Sequence, residues 1–288
     1  MNQISLSNRN FLFGFGAILV CLAFLYASVI KFLVDDWIHL PDFSHGFLIP
    51  FVSFYFVYER RKEWYKLSLN GQWSGLVWII LGLFLLLLGN LATEYFIMRV
   101  SFLLVVGGII LFLFGISFFK AFLFPLGYLI FMIPIPSIFL DRITFPLQLL
   151  ASKVAAGSLE LMGIPVLREG NIIQLASTTL EVAEACSGIR SLISLLALSV
   201  AFAYFSQKST INRVFLVLST IPIAVIANVA RVSGTGILAH FYGDSVAQGF
   251  FHSFSGWLLF VIAFVCLFGV GALLAKFKAG DSKKGPKK

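Results

Sequence analysis

Three chemically capable side chains stand at the borders of apolar runs: Cys186 in EVAEACSGIRSL, Arg231 in IANVARVSGTG and His252 in FFHSFSGW. As a set they suit nucleophilic chemistry at a carbonyl. A thiolate attacks, an imidazole takes and returns protons, and a guanidinium stabilises the oxyanion or orients a bound peptide. Each residue alone has a plainer reading. A single interfacial cysteine is usually packing, a single histidine there is usually a satisfied polar group, and an arginine beside hydrocarbon can snorkel or pair with Glu181 or Glu184. What points to a site is their joint placement, one on each of three consecutive apolar segments and at one bilayer level.

Neighbouring residues extend the set. Cys186 opens an expected helix, where unsatisfied backbone N–H groups and the positive helix end favour a thiolate. Arg190, one turn on, either depresses the thiol pKa further or pairs with Glu184 or Glu181, whose carboxylates oppose a thiolate. Asn228 lies one turn before Arg231 on the same helix face and either orients it or binds substrate. Ser187 competes as nucleophile, but no general base is nearer to it than to Cys186, and it reads as a helix-start residue. His45, in DFSHGF, is a second-rank candidate for substrate binding; His39 and His240 read as structural. Cys21 and Cys266 fall deep in apolar runs and read as small buried hydrophobes. Three cysteines without paired spacing, with no C-x-x-C and no His-rich tract, call for neither a disulfide scaffold nor a metal, and no cofactor is implied.

The elements that must position these residues are membrane helices. Hydrophobic residues make up 59% of the 288 and charged ones 12%, about half the charge of an average soluble domain. This composition predicts an all-α, polytopic integral membrane protein of a single membrane domain, 1–288. Apolar runs at about 11–33, 45–58, 74–92, 100–118, 121–139, 187–205, 214–232 and 253–275 give about eight spans. The first is too long for a signal-peptide core and lacks a small-residue cleavage site, so it is read as an uncleaved span. A net charge of +8 would suit nucleic acid, but the basic residues sit in short clusters between apolar runs and in the Lys-rich tail, a pattern that orients helices in a bilayer.

With both termini inside, Arg60, Arg61, Lys62, Lys66, Lys120, Lys208, Arg213 and the tail 276–288 are cytoplasmic. The segment 140–186 is then external. Residues 143–162 carry Pro146, Lys153 and Glu160, which suits an interfacial or re-entrant helix better than a ninth span. After Gly163, β-branched residues around an EGN turn signal predict a small surface hairpin.

EACSGIR at 184–190, N-x-x-R at 228–231 and H-x-x-x-G at 252–256, with SHGF at 44–47 before an apolar run and ERRK, resemble the exosortase and archaeosortase family. The similarity covers about residues 35–275. It implies Cys186 as nucleophile, Arg231 as the family's arginine and His252 as base in a membrane transpeptidase. The implied substrates are membrane-anchored secreted proteins ending in a Pro-Glu-Pro motif, a transmembrane helix and a basic tail, in the exopolysaccharide systems of Gram-negative bacteria. The site would then face the periplasm from the inner membrane. Two other readings stay open. A transporter or exopolysaccharide-assembly protein would use Arg231, Glu181 and His252 to line an anionic pathway, although such a path should leave polar residues at several depths. A thioester acyltransferase would share the nucleophile.

Overall fold

The computed structural model describes the backbone of residues 9–64, 66–176, 178–182, 188–243 and 250–281, with side chains from residue 12 onward except at 250–253 and 277–281. Cys186, Glu184 and Ser187 lie outside the described residues, as does the side chain of His252. The chain divides into two compact units, Met1–Pro136 and Ser137–Lys288. Helices dominate both, because hydrocarbon offers no water to backbone N–H and C=O groups and each segment must bond its own.

The first unit runs α1 (Arg9–His39), a 3-10 helix (Pro41–Phe47), α2 (Leu48–Glu59), the short α3 (Arg61–Trp64), α4 (Ser74–Leu91), α5 (Tyr95–Phe114) and α6 (Ile116–Tyr128). Helices α4 and α5 meet through glycine. Gly75, Gly82 and Gly89 repeat every seven residues on the buried face of α4, and a Cβ on Gly82 would stand 2.6 Å from the Val105 side chain of α5. Small residues let helix backbones approach where lipid supplies no hydrophobic drive. Helix α1 joins the pair through Tyr26, fully buried, whose hydroxyl lies 3.0 Å from that of Ser101. One turn from its end, α1 also offers Asp36 as the ion-pair partner of Arg99 on α5.

The second unit contains α7 (Ser137–Leu161), strands β1 (Val166–Glu169), β2 (Ile172–Leu175) and β3 (Thr179–Glu181), then α8 (Ile189–Ser206), α9 (Thr210–Tyr242) and α10 (Phe250–Asp281). The strands form one antiparallel sheet in the order β1-β2-β3. The expected hairpin is its first two strands: Glu169 pairs with Ile172 across Gly170 and Asn171, and Gly170 has φ +64°, the sign a type II′ turn demands of its first central residue. The hydroxyl of the fully buried Ser152 donates to the Gly170 carbonyl at 2.8 Å and ties this turn to α7.

Two apolar cores share α9. One joins Ala151, Ala155 and Leu159 of α7 to Ile173, Leu175 and Leu180 of the sheet and to Val232 and Ala239 of α9. The other joins Leu195 and Ala203 of α8, Leu216 and Ala224 of α9, and Ala263 and Leu267 of α10.

Among the described residues, six helices are long and apolar enough to cross a bilayer, in α1, α4, α5, α8, α9 and α10. Counting Ile116–Met132 with Ser137–Leu161 as one broken span makes seven. The protein is thus an all-α polytopic membrane protein, with six or seven helices of spanning length among the described residues where about eight were expected. The run at 45–58 divides between the end of the 3-10 helix (Pro41–Phe47) and α2, whose 12 residues give about 18 Å of α-helix, short of the ~30 Å of hydrocarbon. The run at 121–139 loses its α-helix after Tyr128. Pro134 and Pro136 follow, and neither can donate a helical hydrogen bond. Helix α9 departs the other way. It continues ten residues past the expected end at 232, because Val232, Gly236 and Ala239 keep one buried stripe against the core of α7 and the sheet.

Candidate functional site

Asn228, Val232, Gly236 and Ala239 recur at helical spacing on the buried face of α9, and Asn228 is the polar member of that stripe at 7% exposure. A buried amide needs a partner. Asn228 Oδ1 accepts a hydrogen bond from Arg231 Nη2 at 3.0 Å, three residues along the same helix. The pair lies where the two cores of the second unit meet, with Ala224 of the α8–α10 core one turn before it and Val232 of the sheet core directly after.

Helix α8 approaches the pair at its start. Gly188 is the N-cap of α8 and has φ +78°, a left-handed conformation that L side chains resist. Its carbonyl accepts the first intrahelical bond, from Leu192 N–H at 2.8 Å, and also the Ser191 hydroxyl at 3.1 Å. A Cβ at this position would stand 2.8 Å from Asn228 Cγ and 3.1 Å from the Oδ1 that holds Arg231. The expected helix from 187 therefore starts from a glycine pressed against Asn228.

Helix α10 approaches from the other side. A Cβ on Gly256 would stand 3.5 Å from Arg231 Nη1, an ordinary contact. The backbone of His252 lies in the first turn of α10, and its four-residue spacing from Gly256 puts both residues on one helix face. Two small cavities flank Asn228. One lies between Gly188, Leu192 and Ala151, the other between Ser191, Arg231, Gly256 and Phe260. Each has room for about one water molecule.

Of the residues singled out in the sequence, Asn228 and Arg231 are brought into direct contact. Arg190 is exposed on the first turn of α8, and Glu181 is exposed on β3. His45 belongs to the first unit, in the 3-10 helix before α2, with backbone hydrogen bonds to Phe131 and Asp42. Cys21 and Cys266, expected to be buried, are exposed on the outer surfaces of α1 and α10. On a spanning helix an exposed face meets lipid, which suits a thiol as well as a core does.

Three residues carry roles that spacing alone did not reveal. Gly188 and Gly256 sit inside the quoted motifs, but a positive φ and a close approach are properties of the folded backbone. Arg99 was hidden because the apolar run seemed to begin at 100, whereas α5 begins at Tyr95. The guanidinium is 4% exposed, paired with Asp36 and set 5.7 Å from the centre of the Tyr95 ring.

The fold and this cluster define a class: a multi-pass helical membrane protein with a cation and an amide held between three helices at the seam of two cores. Residues 37–269 match the family model described as Transmembrane exosortase (Exosortase_EpsH), and the chain belongs to that family. A peptidase or transpeptidase role in protein sorting, in general terms, goes with that membership. No curated protein and no solved structure matches the chain.

Proposed function

We propose that this exosortase is a cysteine transpeptidase that removes C-terminal sorting signals from secreted proteins at the outer face of the cytoplasmic membrane. Its substrates end in a Pro-Glu-Pro motif, a transmembrane helix and a basic tail. The Cys186 thiolate attacks the scissile carbonyl, and the Arg231 guanidinium receives the charge that develops on the carbonyl oxygen. His252 takes the thiol proton and returns it to the departing amine, so the C-terminal anchor leaves as a membrane peptide. An amine or water then resolves the thioester. Asn228 orients Arg231, while Arg190 is assigned to a substrate contact.

The observation that carries this reading is the seating of Asn228 and Arg231 between Gly188 and Gly256. Cys186 precedes Gly188 by two residues, at most about 7 Å of chain, and His252 precedes Gly256 by one helical turn. The helix that follows Cys186 in sequence and the helix that contains His252 thus both approach one amide–guanidinium pair, which supports a joint role for the three chemically capable residues.

Depth in the bilayer supports the outward-facing site. Arg231 lies 18 residues beyond Arg213 on the unbroken helix α9, about 27 Å along the axis and close to one hydrocarbon thickness. With Arg213 held at the cytoplasmic interface by its charge, Arg231 reaches the opposite one. A substrate anchored by its own helix presents its scissile bond at that level, and sharing a membrane raises its effective concentration.

The test is an immunoblot of a tagged substrate in cells carrying each cysteine variant in place of the wild type. Cys186→Ser keeps size and polarity but replaces a thiol of pKa about 8.5 with a hydroxyl that His252 alone activates poorly. Uncleaved substrate should accumulate in the membrane with Cys186→Ser, and processing should be near normal with Cys21→Ser and Cys266→Ser. Complete processing by Cys186→Ser at matched expression would end the proposal, and a transporter would tolerate the exchange.

A further inference from the structure

Gly188 meets two independent demands. Its φ of +78° excludes most side chains on conformational grounds. Its Cα also faces Asn228 so closely that a single added carbon would lie 2.8 to 3.1 Å from three Asn228 atoms, one of them the oxygen that accepts from Arg231. Other glycines of the unit differ: Gly157 and Gly234 have open space where a Cβ would go, and Gly163 and Gly170 have a positive φ with nothing near. A glycine needed only for a turn would resemble Gly170. Gly188 is needed for the turn and for the seat.

We infer that Gly188 is a positioning residue for the reaction: the start of α8 presses on Asn228 and, through it, fixes where the Arg231 guanidinium points. Asn228 is buried, with Gly188 on one side and its own helix on the other, so a rigid wall at 188 leaves its amide few other rotamers. An Asn held in one rotamer offers Oδ1 at one place, and Arg231 Nη2 follows it at 3.0 Å. Gly188 is also covalently two residues from Cys186, so the wall that seats the guanidinium is close in sequence to the nucleophile. The inference rests on the proposed roles of Cys186 and Arg231.

Purified enzyme and a tagged substrate ending in Pro-Glu-Pro, an apolar helix and a basic tail are co-reconstituted in liposomes. Rates are compared for Gly188→Ala, Gly188→Asn, Asn228→Ala and the Gly188→Ala/Asn228→Ala pair. Gly234→Ala controls for loss of a glycine. Gly188→Asn tolerates the left-handed conformation but carries the same Cβ, which separates the turn from the seat. Both Gly188 variants should lose about 10- to 100-fold in kcat, the scale of a small misplacement, with KM within about threefold of wild type. Asn228→Ala should lose a similar factor, and the double variant should be no worse than about threefold below the weaker single, because all three disturb one element. Gly234→Ala should stay within about twofold of wild type.

Near-normal turnover by Gly188→Asn would overturn the inference, leaving only the turn. Losses that multiply in the double variant, or that fall on KM, would overturn it too. Cys186→Ser is run alongside. Processing by that variant would sink the nucleophile, whereas an inactive Cys186→Ser with multiplying losses would sink the seat alone.

Discussion

Arg99 and Arg231 both lie in apolar helices, and the groups that hold them differ in kind. Arg99 is 4% exposed in α5 and is paired with the carboxylate of Asp36 on α1, beside the Tyr95 ring. Arg231 is part-buried in α9 and donates to the neutral amide of Asn228. A carboxylate balances a cation's charge, whereas an amide fixes the direction of the group that donates to it. Arginine in hydrocarbon costs about 2.5 to 3.5 kcal/mol on insertion scales, so each must have a partner or a task. Under the proposed function, Arg99 joins two helices and Arg231 serves the substrate. Arg231 also borders a small cavity at the seam of two cores.

The sharpest way to break this comparison is to keep both charges and change their geometry. Arg231→Lys should lower processing by about 10²-fold at unchanged accumulation, because an ammonium cannot reproduce a planar donor fork aimed by an amide. Quantifying cleaved substrate against enzyme level by immunoblot checks this, and near-normal processing would reduce the role of Arg231 to charge alone. A smaller effect of the opposite kind is expected for Asp36→Asn. Removing the carboxylate leaves Arg99 buried without its counter-charge, and since Asp36 is one-third exposed the cost is about 1–3 kcal/mol, below the usual figure for a buried pair. That variant should melt a few degrees lower in detergent while each folded molecule keeps its activity. Loss of activity at normal stability would exchange the two roles.

The long apolar runs made the fold legible in the sequence, and the basic clusters made one orientation preferable. Boundaries were less legible where packing overrode local pattern. Helix α9 runs through Gly234 and Gly236 because its outer stripe has a sheet and α7 to pack against, and that partner is distant in sequence. The third strand, Thr179–Glu181, is too short to show an alternation of its own and exists by pairing with β2. At the site, residue types and spacing were enough to nominate Asn228 beside Arg231, because three residues on a helix are neighbours wherever the helix lies. The parts played by Gly188 and Gly256 depend on which helices face each other, and no spacing along the chain encodes that. Arg99 escaped notice for a related reason, its partner being 63 residues away on another helix.

The central claim is that Cys186 is a reactive thiol at the outer face and that processing depends on it. A membrane-impermeant maleimide applied to intact spheroplasts, with Cys21 and Cys266 both replaced by serine, tests position and role together. The account predicts that Cys186 is labelled without permeabilisation and that substrate cleavage falls in proportion to the labelled fraction. Labelling only after the cytoplasmic membrane is opened, or full labelling with cleavage unchanged, would contradict it.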